Sequence, residues 1–333
     1  MTTATVSATF VWRRIHSLCG LWLALFLFEH LLTNSQAALW IGNDGNGFVR
    51  MVNFIHDLPY LEAIEIFLIG VPLLFHMVLG IKYLWSGKFN AHKTDGSKPA
   101  LPEYGRNRAY SWQRITSWIL VFFIVFHVVK FRFLEYPYEA VQGSKSVYLV
   151  RVKMDNGLYT LADRLEITMY DHREIEKEQL AMQTREVESA LVEASKSIRK
   201  YDKKSGEYDQ EKGSILSAAQ HYEQKKKFVE TLKSFSIGAD EMVAVSDSFG
   251  KATLLTVRDA FKNPVYVALY TVFVLTACFH AFNGFWTFLI TWGVILNMTS
   301  QKRMGRFAIG LMAFVACMGL IAIWGTYWVN LKH

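Results

Sequence analysis

The sequence predicts an all-α membrane protein with five transmembrane helices and a long polar insertion between the third and the fourth. Three observations predict it. Apolar residues make up 52% of the 333 and aromatic residues 15%, and they gather in five blocks, 17–41, 62–85, 113–134, 265–296 and 307–329. Lys and Arg alternate between two sets of connecting segments, and residues 137–250 abandon the apolar pattern altogether.

Each block has roughly the 20 residues that cross ~30 Å of hydrocarbon at ~1.5 Å per residue. Arg13 and Arg14 precede the first block, but it is long and no small-residue cleavage site follows it, so it reads as a span and not a cleaved signal. One set of short segments holds Arg13 and Arg14, then Lys88, Lys93, Lys98, Arg106 and Arg108, then Lys302, Arg303 and Arg306. The other holds Arg50, Lys130, Arg132 and Lys332. The excess of positive charge on the first set predicts a cytoplasmic N-terminus, with the insertion and the C-terminus outside. The expected organisation is spans one to three in 1–136, the insertion in 137–250, and spans four and five in 251–333.

The net charge of +7 also partitions. Residues 137–262 carry 20 basic and 21 acidic side chains, a net −1, whereas the remainder carries 16 and 8, a net +8. The basic character belongs to the membrane part, which points to anionic lipid or an acidic partner at that face and away from nucleic acid. Cys19, Cys278 and Cys317 all fall in apolar segments and suggest no disulfide framework.

Within the insertion, "SVYLVRVKMDNGLYTL" places Asn156–Gly157 between two β-prone runs, the signature of a hairpin turn. Val187, Leu191, Ala194, Ile198 and Tyr201 then recur at spacings of four and three, and Ile215, Ala219, Tyr222 and Val229 continue a similar stripe after "KKSGEYDQ". That pattern predicts an antiparallel helical hairpin with a coiled-coil-like seam, either self-packed or a docking arm for another protein.

Four of the five apolar blocks each bury a histidine: His30, His76, His127 and His280. A single intramembrane histidine can be explained by one interhelical hydrogen bond. Four in four spans are better explained by function, because polar groups in a span cost kilocalories. Two facing pairs of neutral imidazoles are what axial ligation of two haems requires. "FHMVLG" and "FHAFNG" share a glycine four residues past the histidine, Gly80 and Gly284, on the ligand's own helix face, where it leaves room for a porphyrin. His30 lies 16 residues past Arg14 and His127 13 past Arg114, or ~20–24 Å from the cytoplasmic side, whereas His76 lies six residues before Lys82, or ~9 Å. His280 lies 17 residues past Asn263, which favours the inner half. The expected pairs are therefore His76 with His280 near the cytoplasm and His30 with His127 near the outside.

Further candidates follow from position. Arg14, Lys82 and Arg114 on the inner side, and Lys130 and Arg132 on the outer, are placed to neutralise haem propionates or simply to snorkel to the interface. His16, in "RRIHS", can reach a propionate or a quinone. Glu29 and Glu65 are candidate proton groups for a quinone, with an interhelical bond for Glu29 and a helix N-terminus for Glu65 as the plainer readings.

The stretches "RRIHSLCG", "EHLLTN", "LPYLEAIEIFLIGVPLLFH", "QRITSWI" and "FHAFNGFWTFLITWG" resemble the diheme, five-helix cytochrome b subunit, of the cytochrome b558 type, of succinate:quinone oxidoreductases. The resemblance covers most of residues 10–134 and 255–330 and is to the type found in Gram-positive succinate dehydrogenases. It implies two haems b with His30, His76, His127 and His280 as iron ligands, spans one and three sharing one haem and spans two and four the other. It further implies a bacterial cytoplasmic membrane, flavoprotein and iron–sulfur subunits as partners, and a quinone, of the menaquinone type, as electron acceptor in the tricarboxylic acid cycle and respiratory chain. The chain alone has no Gly-rich flavin turn and no cysteine cluster, so it has no succinate chemistry of its own. It departs from the family in the insertion and in Cys278, which stands where some relatives use a glutamate for transmembrane proton movement. The rival expectations are a bis-histidine cytochrome b of another quinone-linked dehydrogenase, or a haem-free transporter whose His and Glu carry protons.

Overall fold

The computed structural model describes residues 7–38, 45–86, 103–183, 191 and 206–331. Five helices are long and apolar enough to cross a membrane: Ala8–Ser35, Leu61–Trp85, Gly105–Leu134, Pro264–Thr291 and Met298–Leu331. Three of them begin earlier than hydrophobicity alone suggests because a polar residue caps them. Ser7, Asn263 and Asn297 accept backbone N–H bonds from Phe10, Val265 and Ser300, and Pro264 occupies the first turn.

Two spans also end before their apolar blocks do. The first stops at Ser35, where the Asn34 amide donates to the His30 carbonyl and the Ser35 hydroxyl to the Leu32 carbonyl, side-chain bonds that compete with helix continuation. The fourth stops at Thr291, and Gly293, at φ 72°, turns the chain towards the fifth. The first span packs on the second, fourth and fifth, and the third on the fourth. Close approach is possible at Gly319, where an added Cβ would lie 2.5 Å from Val274 Cγ1 and 3.3 Å from Leu31 Cδ1. Wide π-type turns interrupt the second span at Glu65–Gly70, the third at Val129–Leu134 and the fifth at Ile321–Gly325.

The chain divides into two compact units, Met1–Leu134 with Ala260–Lys332, and Glu135–Asp259. The second unit is built on a four-stranded antiparallel sheet of β1 (Tyr138–Gln142), β2 (Lys145–Lys153), β3 (Thr168–Tyr170) and β4 (Glu241–Ser246) in the order β1-β2-β4-β3. Strand alternation fills both faces. Val147, Leu149, Val243 and Val245 pack with Ile175, Phe228 and Leu232. Val150, Val152 and Ala244 pack with Leu158, Leu161, Ala162, Ala252 and Leu255 on the other side. The last two belong to the helix Phe249–Ala260, so this helix helps to close the sheet's core.

Asn156–Gly157 is not a hairpin turn. It opens the helix Asn156–Leu165, because the Asp155 carboxylate accepts the Leu158 N–H at 2.8 Å and Leu158, Leu161 and Ala162 form a buried stripe. The hairpin lies one strand earlier, between β1 and β2, around Gly143 at φ 65°. Of the predicted helical hairpin, His172–Gln183 and Gly206–Ser234 are helices, and Lys225 pairs with Glu178 at 3.4 Å. Val187, Ala194, Ile198 and Tyr201 lie outside the described residues, as do Lys88, Lys93 and Lys98.

Candidate functional site

The spans bring the four histidines together at two levels. At the first level, the rings of His76 and His280 are 6.1 Å apart between centroids and cross at 89°. At the second, those of His30 and His127 are 5.8 Å apart and cross at 85°. Metal–imidazole bonds are about 2.0 Å long; two in line, with half a ring beyond each nitrogen, set ring centres about 6 Å apart. Both pairs have that spacing. Among the described residues no group of three or more His, Cys, Asp or Glu is placed to hold a metal ion by itself. The donor set is two pairs, which suits an ion whose remaining ligands come from a macrocycle.

Hydrogen bonds fix the tautomers at the first level. His76 Nδ1 is 3.0 Å from the His16 carbonyl, which can only accept, so Nδ1 carries the proton and Nε2 is bare. The Thr116 hydroxyl donates to the Trp112 carbonyl at 2.8 Å and the Ser117 hydroxyl to the Gln113 carbonyl at 2.7 Å. With their protons committed, both oxygens can only accept from His280 Nδ1, at 3.5 and 3.4 Å. His280 Nε2 is therefore bare as well. Two neutral imidazoles with unprotonated Nε2 atoms form the ligating tautomer on both sides. Gln113 adds a second tie, donating to the His280 carbonyl at 3.0 Å while accepting from Asn283 at 2.7 Å.

His16 stands over His76 as a parallel stack, centroids 4.1 Å apart and planes 11° off, with Tyr83 edge-on to it at 5.3 Å. It thus meets His76 both by its ring and by its carbonyl. Gly80 and Gly284 lie beside His16 and Gln113. A Cβ on Gly80 would lie 3.5 Å from His16 Nε2, and one on Gly284 3.6 Å from Gln113 Nε2, both ordinary contacts. The glycine that His76 requires is Gly20, where a Cβ would lie 2.8 Å from His76 Cε1. Its signal in the sequence was its place one turn past His16 in "RRIHSLCG".

At the second level, His127 Nδ1 is 3.3 Å from the Tyr270 hydroxyl. Tyr270 is buried among Phe261, Phe131 and Phe273. In the third span His127 lies ten residues beyond Ser117, and in the fourth Tyr270 lies ten before His280. Ten helical residues rise about 15 Å, so both spans give the same separation of levels. Glu29 accepts from the Thr33 hydroxyl at 2.7 Å. Glu65 pairs with Arg132 at 3.0 Å, the two residues coming from the π-type turns of the second and third spans. Lys130 is buried, with its ammonium 4.6 Å from the Tyr266 ring centroid.

Of the other candidate cations, Arg14 and Arg114 have partners of their own. Arg14 donates to the Thr291 carbonyl and lies over Phe10 and Trp292. Arg114 lies 4.5 Å over Tyr110 and reaches the Tyr83 carbonyl at 3.5 Å. Lys82 is exposed at the C-terminal end of the second span. Sequence reasoning missed Gly20, Gln113, Ser117 and Tyr270, whose signals are polar or small residues on otherwise apolar faces one turn from a ligand's level.

No family model matches the chain, and no solved structure matches it. Over 120 residues it is 34% identical to the succinate dehydrogenase cytochrome b558 subunit of Bacillus subtilis (strain 168), covering 36% of this chain and 54% of that protein. The chain thus spans about half the length of the curated relative that it matches.

Proposed function

We propose that the chain is the membrane-anchor cytochrome b subunit of a succinate dehydrogenase, with His76 and His280 holding one haem b and His30 and His127 another. Bound there, the haems would supply one-electron carriage from an iron–sulfur subunit to a membrane quinone of the menaquinone type. The observation that carries this reading is the pair of crossed imidazole couples, each about 6 Å between ring centroids and each joining two different spans. The similarity to a succinate dehydrogenase cytochrome b558 subunit supports it independently.

The chain's own residues have definite parts in this reading. His16, Ser117 and Thr116 keep Nδ1 protonated on the first-level ligands, so Nε2 stays available. The aromatic wall of Phe126, Phe131, Tyr270 and Phe273 keeps water from the second level. Arg14, Lys82 and Arg114 at one end, and Lys130 and Arg132 at the other, are the candidates to neutralise propionates. Glu65, held by Arg132, and Glu29, held by Thr33 and adjacent in sequence to His30, are the candidates to deliver protons to a quinone at the second level, with His16 the alternative at the first level. The first level lies towards the cytoplasm, where the flavoprotein and iron–sulfur subunits would dock on the basic face, and the 137–250 insertion lies outside.

The test is direct. Membranes containing the protein should show a Soret band and a dithionite-reduced α band with two haems b per polypeptide. Mild-detergent purification should bring along two larger subunits carrying flavin and iron–sulfur. Colourless protein made with ample porphyrin would leave the proton-coupled transporter in front. Haem with different partners would favour another quinone-linked dehydrogenase.

A further inference from the structure

The third span carries His127 of the second level's pair and the fourth carries His280 of the first level's, and each span also carries a hydroxyl beside the other's histidine. Ser117 and Thr116, on the third span, meet Nδ1 of His280 on the fourth at 3.4 and 3.5 Å. Tyr270, on the fourth span, meets Nδ1 of His127 on the third at 3.3 Å. We propose that Tyr270 and the Ser117–Thr116 hydroxyls are positioning residues in a reciprocal brace. By this device each helix sets the ring orientation and electron donation of the ligand borne by its neighbour. The inference rests on the proposed haem ligation and deepens it.

The chemistry runs one way. When Nε2 of His127 gives its lone pair to iron, Nδ1 keeps the proton and donates to the Tyr270 oxygen. That bond fixes the ring about its axis and raises the ligand's basicity. The same holds for His280 against Ser117, whose own proton is spent on the Gln113 carbonyl. Tyr270 is suited to a fixed role because it is 5% exposed and its ring meets Phe261 edge-on at 5.4 Å and Phe273 at 5.8 Å.

Tyr270→Phe keeps the ring and its aromatic contacts and removes one oxygen; Ser117→Ala with Thr116→Val does the same at the other level. The assay is a redox titration of the reduced α bands of the whole complex in membranes, with retention of each haem in detergent as a second readout. A less basic ligand stabilises the ferric state less. Tyr270→Phe should therefore raise the midpoint potential of the His30–His127 haem and leave the other where it was. The Ser117–Thr116 variant should do the converse, and Ser117→Thr should restore the original potential. Retention of the affected haem should weaken about tenfold or more. Two haems at unaltered potentials with unaltered retention in both variants would overturn the brace while leaving the cytochrome reading intact, and so would movement of the wrong haem. Absence of haem in the unsubstituted protein would remove the cytochrome reading itself and the brace with it.

Discussion

Replacing Gly20 with alanine adds one methyl group at the tightest point of the first level. That methyl would sit 2.8 Å from His76 Cε1 and 3.2 Å from its Nδ1. Ordinary carbon contacts settle at about 3.5–4.0 Å, so either the ring or the first span must retreat by close to an ångström. The ring has little freedom to do so. Its Nδ1 is tied to the His16 carbonyl at 3.0 Å, four residues earlier on the same helix as Gly20, and the His16 ring covers one of its faces. Overpacking of this kind costs about 1–3 kcal/mol, or roughly 5- to 150-fold in the equilibrium that favours the ligating geometry. Under the proposed ligation, the expected outcome is a selective loss or spectral shift of the haem assigned to His76 and His280, with the other haem unaltered, read from reduced-minus-oxidised spectra of membranes. Gly80→Ala and Gly284→Ala, whose added carbons meet only ordinary contacts at 3.5 and 3.6 Å, should bind both haems normally. Two normal haems in the Gly20 variant, together with loss of one in either of the others, would refute the reasoning.

Other expectations follow from the same geometry. His76→Ala and His280→Ala should each remove one and the same haem, and His30→Ala and His127→Ala the other; loss of different haems within a pair would break the pairing. Glu65→Gln removes the charge facing Arg132 and should slow quinone reduction while both haem spectra stay normal, so full quinone turnover would clear Glu65 of any part in it. Gly319→Ala should destabilise the bundle by about 1–3 kcal/mol by pressing on Val274. Thermal melting in detergent should show recovery on adding Val274→Ala, and additivity of the two losses would argue against that contact. In the insertion, burial pushes the Tyr170 phenol above its ordinary value of 10.0, with Glu178 and Glu174 adding and a Gln142 hydrogen bond opposing. The fold favours the neutral phenol, so its contribution is complete below about pH 10 and fades as the pH climbs through the raised value. Tyr170→Phe should therefore lose less stability than the unsubstituted protein in alkali, as measured by circular dichroism melts on either side of that pH.

What the sequence made legible was what depends on composition and on one-dimensional spacing. The number of spans follows from apolar run length, and the partners of His30 and His76 follow from depth along straight helices. The structure has five helices long and apolar enough to cross a membrane among the described residues, and the rings of His30 and His127, and of His76 and His280, lie about 6 Å apart. The side chains beside Gly80 and Gly284 were not legible, since position i+4 says which face a residue occupies but not which neighbouring side chain borders it. Tyr270 and Ser117 were hidden for a similar reason: their partners lie on another helix, some 140 to 160 residues away in the chain. The Asn156–Gly157 turn failed through a local competition. An aspartate immediately before an Asn–Gly pair can cap a helix as readily as the pair can close a hairpin, and the buried Leu158–Leu161–Ala162 stripe decided in favour of the cap.

Tyr136, just before the first strand of the insertion, packs against Phe249, just after its last, with ring centroids 5.2 Å apart. The Lys153 N–H at the end of β2 is likewise tied to Asp259 at 2.8 Å. Each end of the unit is thus tied into the unit's own sheet and helix, the entry through Tyr136 and the exit through Asp259, so it carries the contacts that fix both its ends. It should also be removable as a cassette, with a few residues rejoining the cut ends, which makes this chain a natural pair of genetic experiments: the five apolar helices without their appendage, and the appendage grafted elsewhere.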